Sequence, residues 1–154
     1  MKFVAFSDTH DNVPAIRDLV DEIKKEKADL FIHAGDVISP FALREFSGIE
    51  ELYLAFGNND GDRQKLLEIA LSNNWTAGEI VAVGGIAVYH GTLPAITDLL
   101  LKKHVIVITG HTHKAEIKKE KNSILINPGE GSGYLTGKRS YAVFEDGEIS
   151  IIEF

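Results

Sequence analysis

The sequence predicts an α/β fold in which two packed mixed β-sheets are flanked by helices. The first half of the chain alternates apolar, strand-like runs with amphipathic segments of helical period, as parallel strands joined by helices do. The second half carries consecutive strand-like runs separated by turn sequences. A chain of 154 residues can bury a substantial core, and we expect residues 1–154 to form a single domain.

The first half contains three strand-and-helix units. Residues 3–6 form the first apolar run, and Asp11 or Asn12 can cap the helix that follows. A second strand is predicted at about residues 29–34, with a short helix at residues 40–46. The third strand ends at Gly57, and Asp60 is placed to cap an amphipathic helix that runs through residues 66–71.

From Trp75 onward the pattern predicts hairpins. Residues 79–83 and 86–89 flank a Gly-Gly turn, which tolerates positive φ. A helix at about residues 93–103 and a buried strand at residues 105–108 follow. Two more hairpins are predicted, pairing residues 115–119 with 124–126 and residues 141–144 with 149–152.

Composition excludes several classes of function. The formal net charge of −7 argues against a basic nucleic-acid surface. The chain has no cysteine, so any metal must be held by His, Asp and Asn. No apolar run is long enough for a signal-peptide core or a membrane span, and we expect a cytoplasmic protein without a membrane partner. The sequence leaves open whether the chain forms a homo-oligomer.

Five short polar clusters stand where an apolar run stops. Strands of one sheet bring their carboxyl ends to one edge, and ligands bind at that edge in open α/β sheets. The side chains of the clusters are oxygen and nitrogen donors that suit divalent metals. The clusters are Asp8-Thr9-His10, Gly35-Asp36, Gly57-Asn58-Asn59-Asp60, His90-Gly91 and Gly110-His111-Thr112-His113.

Each cluster taken alone has an ordinary structural explanation. The first can be a helix-capping loop, the second a turn, and the third a left-handed turn with a helix cap. The fourth can be a half-buried histidine of a hairpin, and the fifth a solvated loop. Together these explanations fail, because four of the six histidines lie in clusters at strand ends. The sequence therefore predicts a metal site.

The order of the clusters resembles a known family. Asp-x-His, Gly-Asp, Gly-Asn-x-Asp, a single His and Gly-His-x-His follow one another as in the calcineurin-like metallophosphoesterases. Within that family the chain is similar to the small bacterial and archaeal phosphodiesterases, and the retromer subunit has the same compact form. The resemblance covers nearly the whole chain. It implies a fold of two sheets with outer helices and a hydrolase of small phosphodiester substrates.

The resemblance also implies two divalent metal ions as cofactors. Mn²⁺ is the first choice, and Ni²⁺, Fe²⁺ or Zn²⁺ are alternatives. A pair of ions suits in-line displacement at phosphorus, with a bridging hydroxide as nucleophile. One ion would be held by Asp8, His10, Asp36 and His113, and Asp36 would bridge to a second ion held by Asn58, His90 and His111. Asp36 and His111 are thereby predicted to take part in catalysis.

Two departures from the family pattern bear on the chemistry. Many members have His directly after the ligand Asn, whereas this chain has Asn59, which we predict to be a catalytic and substrate-binding residue. An amide donates a hydrogen bond but is no general acid, so we expect slow hydrolysis unless the leaving group is good, as in aryl esters. The second departure is the Gly-rich loop at residues 129–137. It is either a flap at the site rim, with Arg139 contacting phosphate, or a mobile surface turn.

Two functions follow from these observations. The first is a phosphodiesterase that acts by the two-metal mechanism. The second is a protein-interaction scaffold of the same fold, like the retromer subunit, in which catalysis is weak or lost. Such scaffolds degrade their ligand sets, whereas this chain has a donor at every expected position, which favours the enzyme. A nuclease is disfavoured by the acidic charge balance.

Overall fold

The computed structural model describes residues 1–154 and confirms the predicted fold class: eleven strands form two mixed sheets, and four α-helices lie outside them. The strands are β1 (Lys2–Phe6), β2 (Leu30–His33), β3 (Leu52–Ala55), β4 (Thr76–Gly78), β5 (Ile80–Val83), β6 (Ile86–Tyr89), β7 (Ile106–Ile108), β8 (Glu116–Lys119), β9 (Ile124–Asn127), β10 (Ser140–Glu145) and β11 (Glu148–Glu153). The helices are α1 (Val13–Lys25), α2 (Pro40–Leu43, continued by a 3₁₀ turn at Arg44–Phe46), α3 (Arg63–Ser72) and α4 (Pro94–Leu101).

Parallel strands lie at the centre of both sheets. The first sheet has the order β11-β10-β1-β2-β3-β4, with β1 to β4 parallel. The second has the order β5-β6-β7-β9-β8, with β6, β7 and β9 parallel. Each sheet therefore presents the carboxyl ends of at least three neighbouring strands at one edge. The hairpins predicted in the second half of the chain supply the antiparallel partners β5, β8, β10 and β11.

The core has two layers, one on each face of the first sheet. Strand β1 shows why, because its side chains alternate between the faces. Phe3 and Ala5 belong to the apolar layer between the two sheets, whereas Val4 and Phe6 belong to the layer between the first sheet and its helices. All four are fully buried. Burial of each phenylalanine contributes roughly 1.5–3 kcal/mol, so both layers hold β1 in its register.

Three of the four α-helices begin at polar caps, with one correction to the sequence prediction. Asn12 caps α1 as expected, but α3 is capped by Asp62 and not by Asp60. The Asp60 carboxylate instead accepts hydrogen bonds from the backbone N–H groups of Gly57, Asp36 and Ile38. Asp60 can satisfy three N–H groups at the ends of β2 and β3, which is more than a helix cap would offer it. The longest α-helix has 13 residues, and none of the helices combines the length and apolar character required to cross a membrane.

Two glycines allow the strand ends to approach one another closely. A Cβ atom on Gly57 would lie 2.5 Å from the backbone nitrogen of Asp36, and one on Gly110 would lie 2.6 Å from Asp8 Oδ2. Both distances are shorter than a real Cβ atom makes. Side chains at these positions would push apart the strand ends that carry the predicted ligands.

The one histidine inside a strand, His33, is a fully buried core residue. Its Nδ1 accepts from the Gly35 N–H at 3.1 Å, so its Nε2 carries the proton and donates to Thr9 Oγ1 at 3.1 Å. Burial lowers the pKa of His33 to about 3. The ring therefore stays neutral in the folded protein at every physiological pH.

Gly57→Ala is expected to destabilise the fold. The added methyl group would overpack the turn against Asp36, and overpacking costs about 1–3 kcal/mol. Gly61→Ala is the matched control, because a Cβ there would meet nothing closer than 3.6 Å and neither glycine has a positive φ. The free energy of unfolding from urea titrations measures the effect. Equal stability losses in the two variants would show that Gly57 is not held by close packing.

His33 is expected to make stability fall with acidity. The pKa of this histidine is 6.5 in the unfolded chain and about 3 in the folded one, so the unfolded chain binds more protons between these values. The free energy of unfolding then decreases as the pH falls below 6.5, by up to about 1.4 kcal/mol per unit. His33→Gln removes this contribution. Urea unfolding in the presence of EDTA at several pH values between 7 and 4.5 gives the slope of the unfolding free energy against pH for wild type and His33→Gln. Identical slopes would contradict the low pKa of His33.

Candidate metal centre

Donor side chains from four strand ends meet where the edges of the two sheets come together. Asp8 and Asp36 follow β1 and β2 of the first sheet, whereas His90 and His113 follow β6 and β7 of the second. His90 Nε2 lies 3.3 Å from Asp36 Oδ2, and His113 Nε2 lies 3.4 Å from Asp8 Oδ1. His10, from the loop after β1, lies within 3.6 Å of both carboxylates. The structure thus brings five predicted ligands into one cluster.

The cluster divides into two groups that could each hold an ion. One contains Asp8, His10 and His113, the other Asp8, Asp36 and His90, and the ligand atoms of each group lie within 4.8 Å of one another. Donors around one tetrahedral ion with bonds of about 2.1 Å lie roughly 3.4 Å apart, which is close to the distances in this cluster. The resemblance made Asp36 the shared residue. In the structure it is Asp8 that belongs to both groups, whereas Asp36 belongs only to the group with His90.

Three atoms of the cluster are buried without a hydrogen-bond partner: Asp8 Oδ1, His10 Nε2 and His90 Nε2. Buried polar atoms are almost always paired, because an unpaired one loses its hydration without compensation. Here all three face the same small space between the strand ends. Oxygen and imidazole nitrogen atoms that converge in this way fit a divalent cation.

Hydrogen bonds on the far side of two imidazoles fix which nitrogen is free. His90 Nδ1 donates to the carbonyl of Ala34 at 2.8 Å, and His113 Nδ1 donates to Glu130 Oε2 at 2.7 Å. A carbonyl and a carboxylate can only accept, so the proton lies on Nδ1 in both rings. The Nε2 lone pairs are then directed at the cluster, which is the usual arrangement of metal-binding histidines.

The backbone at the cluster is strained. Positive φ angles occur at Asp8 (53°), His10 (44°), Asp36 (59°), His111 (69°) and His113 (62°). Such angles are uncommon outside glycine, cost of order 1–3 kcal/mol each and gather at functional sites. They persist because neighbouring strand ends hold one another: Asp8 N donates to Gly35 O and His10 N to Asp36 O, both at 3.0 Å.

The charges of the cluster favour a cation. Burial opposes ionisation of Asp36, but the nearby His90 ring and the hydrogen bonds from Asn59 outweigh it and keep the pKa of this carboxyl well below its usual range. The nearby Asp8 carboxylate raises the pKa of His10 in spite of partial burial. Burial lowers the pKa of His90, yet Asp36 more than offsets it and the net shift is upward. Buried carboxylates thus attract positive charge to the imidazoles, as they would attract a metal ion.

The remaining predicted ligands lie at the exposed rim. The ring of His111 is 5.2 Å from the ring of His90, and the backbone N–H of His111 donates to Asp8 Oδ2 at 3.1 Å. Asn58 is exposed, and its Oδ1 accepts from Thr92 Oγ1 at 3.4 Å. The structure therefore places His111 beside His90, while Asn58 stands on the open side of the site.

Asn59 has a role that the sequence did not indicate. Its side-chain amide donates to Asp36 Oδ2 at 2.7 Å, and its backbone N–H donates to Asp36 Oδ1 at 2.9 Å. The residue thereby orients a predicted ligand carboxylate. In this conformation the side-chain amide of Asn59 is hydrogen-bonded to Asp36 and is not free to bind a group on the open side of the site.

Arg139 is not brought to the cluster. Its guanidinium donates to Asp18 Oδ2 at 2.8 Å and lies 4.8 Å from the centroid of the Phe154 ring. The predicted contact of Arg139 with phosphate has no counterpart in this arrangement, because both partners lie outside the donor cluster. We leave this residue out of the proposed site.

One residue of the site was missed by sequence reasoning. Glu130 follows β9, the third parallel strand of the second sheet, and it is fully buried beside His113. Burial opposes its ionisation, but bonds from His113, Thr136 and Leu135 outweigh it and lower the pKa of Glu130 to about 2. The signal was present as a sixth apolar run followed by glycine and a carboxylate, Ile124 to Glu130.

Neither interpretation of the Gly-rich loop anticipated how it is anchored. The N–H groups of Gly131 and Ser132 donate to the carbonyls of Ser7 and Asp8 at 2.8 and 3.1 Å. The base of the loop therefore pairs with the segment that carries the first ligand. At its tip, Tyr134 and Leu135 are exposed.

Known proteins resemble this chain over most of its length. The family described as calcineurin-like phosphoesterase superfamily domain matches residues 1–147. Phosphodiesterase MJ0936 of Methanocaldococcus jannaschii is 34% identical over 146 residues, which are 89% of this chain and 88% of that protein.

Solved structures extend the likeness to the whole fold. A novel archaeal phosphodiesterase superposes with a TM-score of 0.93 at 31% identity, over 100% of both chains. A single mutant of Vps29 from Entamoeba histolytica superposes with a TM-score of 0.71 at 19% identity, over 100% of this chain and 99% of that one, which shows the shared fold alone. The match over nearly the full length and the identity to the archaeal relative show that this chain belongs to the calcineurin-like phosphoesterase superfamily.

Proposed function

We propose that this chain is a metal-dependent phosphodiesterase that hydrolyses small phosphodiesters with two divalent ions. The observation that carries the proposal is the convergence of three buried, unpaired donor atoms of Asp8, His10 and His90 on one space. The family membership and the phosphodiesterase name of the Methanocaldococcus jannaschii relative support it. A structural histidine cluster would pair its nitrogens within the protein, as His33 does.

The proposed ligands come from both sheets. Asp8, His10, Asp36 and His113 would hold one ion, and Asp36, Asn58, His90 and His111 the second. Bound in this way, two ions supply an activated water and neutralise negative charge on the phosphate oxygens. The mixture of carboxylate, amide and imidazole donors suits Mn²⁺ first, with Ni²⁺, Fe²⁺ and Zn²⁺ as alternatives.

In the proposed reaction, the side chains of the site position the metal ligands and do not transfer protons. Asp36 stays ionised, and Asn59 holds both of its carboxylate oxygens by hydrogen bonds. The open side of the site is formed by the exposed residues Asn58, Asn59 and His111. Since the position after Asn58 carries an amide, the departing alcohol receives no proton from it. The favoured substrates are therefore phosphodiesters whose leaving group departs as a stable anion, such as aryl esters.

Metal-dependent hydrolysis of bis(4-nitrophenyl) phosphate is expected to exceed that of 4-nitrophenyl phosphate, and EDTA should abolish both. Asp36→Ala should lower the rate by at least about 100-fold, because loss of a residue that supports a ligand already costs 10–100-fold. Asp18→Ala is the matched control, since Asp18 pairs with Arg139 away from the cluster. A folded wild-type protein that is inert with Mn²⁺, Ni²⁺, Fe²⁺ and Zn²⁺ would falsify the enzyme proposal and favour the scaffold function.

Position 59 is expected to set the range of leaving groups. Asn59→His should raise turnover on alkyl phosphodiesters several-fold, because imidazole can protonate the leaving oxygen. The same change removes the amide bond to Asp36, so Asn59→Ala serves as the control that loses this bond alone. We expect Asn59→Ala to be slower than wild type on aryl and alkyl substrates alike. If Asn59→His shows no gain over Asn59→Ala on alkyl esters, protonation at this position does not limit the reaction.

A further inference from the structure

Glu130 joins a proposed metal ligand to the loop at the rim of the site. Its carboxylate accepts from His113 Nδ1 at 2.7 Å on one side and from Ser132 Oγ at 2.9 Å. On the other side it accepts from the Leu135 N–H at 3.0 Å and from Thr136 Oγ1 at 2.7 Å, with the Thr136 N–H as a further donor. Five donor groups thus converge on one side chain.

This number of donors is unusual for a buried carboxylate that only fills space. The two oxygens offer about four lone-pair sites, so the donors saturate the group. Glu130 is fully buried, and a buried charge is tolerated only where such bonds replace its hydration. No lysine or arginine pairs with it. Its charge is therefore balanced by the ring of His113 and by loop N–H and O–H groups.

The contact with His113 has a chemical consequence. A free neutral imidazole in water can carry its proton on either nitrogen, and only the Nδ1–H form leaves Nε2 available to an ion. Glu130 selects that form and fixes the plane of the ring. On the opposite side of the ring, His113 Nε2 lies 3.4 Å from Asp8 Oδ1. Partners such as Glu130 raise the basicity of a ligand and its affinity for the metal.

We propose that Glu130 is the positioning residue of this site. It holds His113 in the ligating tautomer and, through Leu135 and Thr136, ties the loop at residues 131–136 to that ligand. The inference rests on the proposed metal-dependent function, because it assigns a role toward the ion that His113 would hold. It adds a residue from the sixth strand end to a site whose other donors come from five.

Glu130→Gln is the informative substitution. The substitution keeps the size of the side chain, but a glutamine amide has only one accepting oxygen. Its NH₂ group, which can only donate, would face N–H or O–H groups that also donate. The bonds to His113 and to the loop cannot then all persist. Thr136→Val separates the two contacts, since it removes the Thr136 hydroxyl bond and leaves His113 untouched. Trp75→Phe is the stability control, because it removes a buried hydrogen bond to Ile49 O that lies outside the cluster.

Three measurements test the proposal on the full chain. Calorimetric titration with Mn²⁺ should show Kd rising about 10–100-fold in Glu130→Gln and staying near the wild-type value in Thr136→Val and Trp75→Phe. Long-range ¹H–¹⁵N NMR of the histidine rings should show the His113 proton on Nδ1 in wild type and redistributed in Glu130→Gln. Hydrogen exchange at residues 135–136 should accelerate in Glu130→Gln.

The outcomes separate this inference from the proposed function. Unchanged Mn²⁺ affinity and an unchanged His113 tautomer in Glu130→Gln would overturn the positioning role. If that variant does not fold, a wild-type spectrum with the His113 proton on Nε2 overturns it equally. Tight Mn²⁺ binding by wild type without hydrolysis of any phosphodiester removes the proposed function and leaves the role of Glu130 intact. Absence of any metal binding by wild type overturns both.

Discussion

The structure depends on how two buried carboxylates, Asp8 and Asp36, are accommodated at the junction of the sheets. Both are almost completely shielded from solvent, and charge in such a place has to be offset locally. The offset comes from imidazoles and N–H groups that reach the carboxylates from other strand ends. Each of these partners has to approach closely, which explains the glycines at positions 57 and 110. Strained backbone angles at the same residues are the cost of this arrangement.

The surrounding bonds make the arrangement rigid. Gly110 N donates to His90 O at 2.9 Å, so the two strand ends of the second sheet are tied together directly. Asn127 adds a bond from its side chain to Gly110 O at 2.7 Å. Asp60 gathers three N–H groups from the ends of β2 and β3. Strand ends are thus fixed to one another and not only to their own loops, which orients the donor side chains.

The donor set and not the fold distinguishes the candidate functions. The same fold occurs in the archaeal phosphodiesterase structure and in Vps29, and a fold by itself does not establish an activity. Here five strand ends are followed by donor side chains, and unpaired buried atoms of Asp8, His10 and His90 converge. In the proposed reaction, Asn59 would not protonate the leaving group, because it is an amide and its side chain is already bound to Asp36.

The sequence by itself determined the two-sheet architecture, the succession of most strands and helices along the chain and the polar clusters at five strand ends. These features are local: hydrophobic period identifies strands and helices, and polar clusters after apolar runs identify the functional edge. The cap of α1 was predictable for the same reason, since Asp11 and Asn12 were the candidates and Asn12 is the cap. The family resemblance then allowed the donors to be divided between two ions.

Only the tertiary structure decided what each polar side chain binds. Asp60 was expected to cap a helix three residues away, yet it binds two strand ends, and Arg139 pairs with Asp18 and Phe154 instead of reaching the site. The short edge strand β4 forms because β3 offers it a parallel partner. Glu130 gains its role from contact with His113, 17 residues earlier in the chain. Hydrogen bonds over such separations depend on where the strands pair in space, and no periodicity in the sequence carries that information.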